Sequence, residues 1–194
     1  TTTDVSTTAT PTTTAPGTGL PDGAADLVGR WAHFDIVTYE DPTLVSDESM
    51  GRTLIISTGF ADFELRDDGQ LWNTQRFCHA DTATESPFET TFSDAATQAI
   101  VPVDTPVEVT EEDGVLRVVR PATPTPIGIA LDDPADEALP DDPNDPRIFD
   151  ADGDGSPGVT ASVELSEDLV LEIYLVRREI FHYDVTQENP DRFV

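Results

Sequence analysis

Lysine is absent from the 194 residues; all ten basic side chains are arginine, set against 39 acidic ones for a formal charge of −29. A surface this negative repels duplex DNA and anionic membranes, so nucleic-acid binding is excluded as a working class. The chain also repels itself, and salt relieves that by cutting the Debye length from ~10 Å at 0.1 M to ~3 Å at 1 M. Divalent cations relieve it more locally. A saline or calcium-containing exterior therefore suits the composition, and acidity also keeps a secreted protein soluble. Cysteine is nearly absent: Cys78 alone excludes an internal disulfide framework. In the strand-like "RFCHAD" it reads as a buried, inert thiol, with neighbouring His79 on the opposite face. No apolar run approaches the ~18 residues of a membrane-spanning helix. There is no Gly-x-Ser-x-Gly elbow, P-loop or dinucleotide fingerprint, and His33, His79 and His182 lack zinc-ligand spacing. Paired acids such as Asp132–Asp133 read as a solvated face rather than a glycosidase dyad. No catalytic or cofactor-binding residues are assigned, and the chain reads as a non-enzyme.

What is present is patterned. Residues 1–23, rich in Thr, Pro and Ala, read as a disordered linker ahead of one domain over 24–194. Such tethers commonly follow the lipid-modified cysteine of bacterial lipoproteins, and a chain opening at Thr1 reads as a mature or trimmed form. From Gly29 onward, period-two alternation dominates. Ala32, Phe34 and Ile36 share one face of a first strand, and Trp31, His33 and Asp35 the other. Gly51–Arg66 reads as a second strand with a bulge at Gly59; Asp67–Gly69 turns it into Gln70–Cys78. Glu89–Ile100 is predicted to hold one short helix capped by Ser93 or Thr91. A hairpin around Glu111–Gly114 follows, then a short strand at Ile127–Leu131. Val159–Leu165 and Leu169–Val185 are expected to pair as a second strong hairpin. Trp31 and Trp72 read as core packing, with the lining of a ligand cavity as the alternative. The expected fold is all-β: an antiparallel barrel or sandwich with one short helix and a long acidic loop. Gly29 and Trp31 form the Gly-x-Trp that opens lipocalin-type barrels.

The long acidic loop, residues 132–158, carries the one motif with chemistry. In "FDADGDGSPGVT", Asp150, Asp152 and Asp154 stand at positions 1, 3 and 5 of a tight loop, with Gly155 sixth and the Ser156 carbonyl seventh. Ca²⁺ takes six to eight oxygens, several from carboxylates, at just this spacing. Ala161 occupies the twelfth place, where an EF-hand has its bidentate glutamate, and a strand rather than a helix follows. Glu164, or Asp141, Asp142 and Asp145, are the expected completions of the shell. The plainer reading is an acidic turn. Calcium is favoured on spacing plus Gly155, with the ~10⁻⁴–10⁻³ M affinity of extracellular sites.

"LDDPADEALPDDPNDPRIFDADGDGSPGVTASVEL", followed by "LEIYLVRRE", resembles a group of uncharacterised secreted bacterial proteins, often lipoproteins. These carry a DxDGDGxPGVT segment and then an EIYxVxR-type strand; the resemblance spans Gly29 to Phe181. It implies an extracellular or periplasmic location, tethered to the envelope by the linker. It also implies further strands beyond those here, so that the barrel is incompletely closed. The expected role is that of a non-catalytic envelope or secreted β protein, stabilised by calcium. The alternatives are a lipocalin-like carrier of a small apolar ligand and a surface subunit that self-associates through an edge strand.

Overall fold

A computed structural model describes residues 19–41, 51–84 and 89–194. The Thr/Pro-rich stretch falls, up to residue 18, outside the described residues. Leu20 packs on the core, and a short 3-10 helix (Asp22–Leu27) buries Ala24 and Leu27. The chain then runs as an antiparallel meander with two excursions. Strands β1 (Gly29–Asp41), β2 (Gly51–Leu65) and β3 (Leu71–Thr84) are followed by β4 (Glu89–Phe92) and helix α1 (Asp94–Gln98). Next come β5 (Thr105–Glu112), β6 (Val115–Ile127), β7 (Val159–Ser166) and β8 (Leu169–Leu175), then β9 (Arg177–Asn189) and β10 (Arg192–Phe193). The order β1-β2-β3-β5-β6-β9-β10 curls into an antiparallel half-barrel, and the excursions supply a second sheet, β4-β7-β8. The half-barrel is open: among the described residues, β1 and β9 are not paired with each other.

The turns follow their sequence chemistry. The β5–β6 hairpin places Asp113 (φ 53°) and Gly114 (φ 79°) at its centre, the two positive φ values that a two-residue turn needs to match strand twist. The ladder between β2 and β3 shifts register at Thr58/Gly59, where the bulge was expected. Ser93 caps α1 by accepting the Ala96 amide at 3.0 Å, though the helix is shorter than predicted because Glu89–Phe92 is a strand. Two other expectations are corrected. Leu169–Val185 is not one strand: it passes from the small sheet to the half-barrel at Val176. The second strand of the Glu111–Gly114 hairpin, expected to be "VLRVVR" and so to end at Arg120, continues as β6 through "PATPTPI" to Ile127. Prolines are tolerated there because β5 pairs only as far as Val119, so β6 beyond it has an unpaired flank among the described residues.

Buried residues form two clusters. One, at the end closed by the 3-10 helix, joins Leu27, Leu71, Val107, Leu116 and Val118, with Trp31, Phe63, Val185 and Phe193 against it. The other lies between the sheets and joins Ala96, Ile127 and Val159, with Phe92, Ile100 and Leu175 against it. Outside them, β8 is exposed along both faces up to Tyr174, and Phe34 (64%) and Ile180 (61%) face outward beside the open seam. No helix among the described residues is long and apolar enough to cross a membrane.

Candidate functional site

The acidic segment leaves β6 at Gly128 and is fastened at three levels. Ala130 donates to the Arg147 carbonyl, and Ile129 bridges to Ile148. Arg147 pairs with both Glu137 and Asp145. Arg178, on β9, donates to the Ala135 and Glu137 carbonyls. The guanidinium of Arg147 holds the Asp145 carboxyl down at about 2. Glu137 is held below the usual range first by the Asp133 amide and then by Arg147. A segment too polar for a core is thus ordered by arginine and amide donors.

Within it, residues 150–158 close into a loop. Ala151 donates to the Gly158 carbonyl and Gly158 to that of Phe149, both at 2.9 Å. Gly158 sits at φ 85°, and a Cβ there would meet the Leu175 carbonyl oxygen at 2.3 Å, so only glycine lets β8 and the loop base approach. The Asp150 carboxylate accepts amides from Gly153 (2.7 Å), Asp154 (3.2 Å) and Gly155 (2.9 Å). Gly155 needs its φ of 91° to aim that amide inward. Asp152 accepts the Thr160 amide at 2.8 Å, and Asp154 the Ser156 amide at 2.7 Å. The Thr160 hydroxyl and then Ser156 keep the Asp154 carboxyl below its ordinary value.

One carboxylate oxygen from each of Asp150, Asp152 and Asp154 lies within 4.8 Å of the others. Two oxygens sharing a Ca²⁺ at 2.3–2.6 Å are at most about 5 Å apart, so this set fits such an ion. Asp152 Oδ1 is buried without a hydrogen-bond partner. The remaining predicted ligands are placed differently. Ser156 stays in the loop, its amide already turned to Asp154. Glu164 is exposed in β7 opposite Glu89, roughly 13 Å along the strand from Thr160, outside the carboxylate group. Asp142 and Asp145 serve their own turn and the Arg147 pair, and Asp141 does not join the group.

A second feature is a cavity of the kind the carrier alternative calls for, with Trp31 in its wall; its buried polar groups were not foreseen. Between β1 and the β9–β10 side the half-barrel encloses a cavity of about 570 Å³. Its apolar wall is made by Leu27, Trp31, Phe63, Val118 and Phe193, which belong to or pack on the first cluster; Trp31 donates to the Leu27 carbonyl at 2.8 Å and meets Phe193 edge-on. Its polar lining includes His33, Asp35, Gln75 and Tyr183, the last also packing against the apolar cluster. Behind that wall lie buried Asn73, Thr105, Arg120 and Thr123. Gln75 hydrogen-bonds His33, and Arg120 donates through Nη2 to the Val103 carbonyl (3.2 Å) and Thr105 (3.3 Å). His33 Nδ1, Asp35 Oδ1, Asn73 Oδ1, Arg120 Nε and Nη1, and the Tyr183 hydroxyl have no partner. Burial pushes the His33 imidazole down, opposed by Asp35 and reinforced by Arg120; it pushes the Asp35 carboxyl and the Tyr183 phenol up and the Arg120 guanidinium down. The signal available in the sequence was Asn73 and Gln75 in phase with Leu71 and Phe77, two amides where core residues belong. Trp72, expected in the core, instead lies against the Arg66 guanidinium at 4.3 Å.

No family model, curated protein or solved structure matches the chain.

Proposed function

We propose that the chain is a non-catalytic, secreted or envelope-tethered binding protein whose Asp150–Gly155 loop takes Ca²⁺. The convergence of Asp150, Asp152 and Asp154 carries this reading. Each carboxylate is already oriented by an amide, so the ion meets a set that needs no rearrangement, and its charge offsets their mutual repulsion. The secreted location rests on the composition, since a −29 chain is best tolerated where cations are plentiful. Thermal melting tests the ion. Calcium at about 100 times Kd stabilises by ~2.7 kcal/mol, so the melting temperature rises over that in chelator, and Asp152→Asn removes the rise. Identical melts in calcium and chelator rule the reading out.

The cavity favours a second reading, a carrier of a small molecule. Its volume of about 570 Å³ falls within the ~300–1,000 Å³ of ligand sites, and it combines apolar walls with a few convergent polar groups.

A further inference from the structure

Arg120 is 2% exposed, on the inner face of β6. An arginine keeps its charge in proteins even when buried. Elsewhere the chain pairs guanidinium groups with its abundant acids, as in Arg30–Asp62 and Arg117–Asp184, both at the surface. Arg120 has no ion pair among the described residues: its two contacts are neutral oxygens, both reached through Nη2, and Nε and Nη1 donate to nothing. A buried cation left uncompensated is among the costlier features a fold can carry. Directly across the ladder from it stands Tyr183, whose buried hydroxyl also lacks a partner. Tyr183, His33 and Gln75 belong to the cavity wall, with Arg120 immediately behind. The Tyr183 side of the cavity therefore offers an idle hydroxyl backed by a buried cation, while the idle acceptor in the wall, Asp35 Oδ1, stands on β1, and Trp31, Phe63 and Phe193 supply apolar wall.

From this we infer that the cavity binds an amphipathic small molecule with an anionic head, of the carboxylate class. Its head accepts from the Tyr183 hydroxyl and faces the field of Arg120; its apolar body lies against Trp31, Phe63 and Phe193. A hydrogen bond between an ionised acceptor and a protein donor is roughly twice as strong as a neutral one, more so away from water. Asp35 lines the same cavity on the β1 side and disfavours an anion beside it, which places the head on the Tyr183 side. This inference rests on the carrier reading and specifies its ligand.

The test titrates the full chain with decanoate, decanol and decyltrimethylammonium, followed by calorimetry and by Trp31 fluorescence. The expected result is saturable single-site binding of decanoate, at least about tenfold tighter than decanol. Tyr183→Phe and Arg120→Met bring the decanoate-to-decanol ratio close to one; if Arg120→Met fails to fold, Tyr183→Phe carries the comparison. Equal affinity for decanoate and decanol overturns the head-group assignment and leaves the carrier reading standing. Preference for decyltrimethylammonium overturns the assignment by reversing its sign. No saturable binding of any of the three overturns both.

Discussion

The acidic loop and the half-barrel interior are opposite cases of one problem. In the loop, acceptors outnumber donors: three carboxylates converge, each already met by at least one amide, and most of them face water. In the interior, a cation lacks a counter-ion: Arg120 and Tyr183 are shut away with idle N–H and O–H groups, and the idle acceptors on Asn73 and Asp35 do not meet them. Solvent makes the loop's excess charge inexpensive, whereas the interior has no such relief. The comparison teaches that net charge says little about any one place. A chain of −29 still buries an unpaired cation, and its three converging aspartates are orderly because backbone amides organise them.

The sharpest way to break the comparison is to hollow out the apolar cluster on which the cavity residues Trp31, Phe63 and Phe193 pack. Leu71 is fully buried in the apolar cluster. Leu71→Ala should cost about 2–5 kcal/mol in denaturant unfolding and abolish decanoate binding. Its effect on calcium affinity should be small, because the loop is fastened through Arg147, Arg178 and Gly158 instead. A second test reverses the usual sign of a core substitution. Arg120→Met removes a buried charge without orphaning a carboxylate, so stability should hold or rise, by up to about 1–4 kcal/mol. A large loss of stability would mean that Arg120 has an acceptor of its own.

The loop is probed by its base and by acid. Gly158→Ala forces a side chain into φ 85° and against the Leu175 carbonyl. It should cost at least ~1–2 kcal/mol and weaken calcium binding, while leaving the cavity's ligand preference unchanged. The smallest effect is electrostatic. The Asp145 carboxyl is depressed to about 2 in the folded state, against about 3.9 when unfolded. Its stabilisation is therefore complete above pH ~4 and is lost as pH falls through about 2. Asp145→Asn should flatten the acid limb of a melting-temperature profile in that window. His79 runs the other way: Asp94 first, then Asp81, raises its pKa. Its contribution is present below the ordinary pKa near ~6.5 and fades as pH climbs through the raised value. Both groups lie at the surface, where such pairs contribute little.

Much of the scaffold was legible, because its signals are local. Alternation set the strands, Asp113–Gly114 set a hairpin, Ser93 set a helix start, and the aspartate spacing set a loop. What escaped is tertiary. Arg177, Arg178 and Glu179 interrupt the alternation between Leu169 and Val185, but three charges in a row do not by themselves announce the change of sheet at Val176, where Gly158 packs against Leu175. Prolines after Arg120 argue against a strand unless one knows that β5 has ended. Arg120 in "VLRVVR" looks like any outward-facing arginine. Yet its phase with buried Leu116 and Val118 puts it inside, and the register shift between Arg120 and Thr123 then moves burial from even to odd positions.

The most direct measurement is a set of thermal melts of the metal-stripped chain with calcium alone, decanoate alone, and both. Each ligand should raise the melting temperature, and the two rises should add, as expected of separate sites with no shared partners. A melting temperature unmoved by either ligand would contradict the claim that each region awaits a partner of opposite charge.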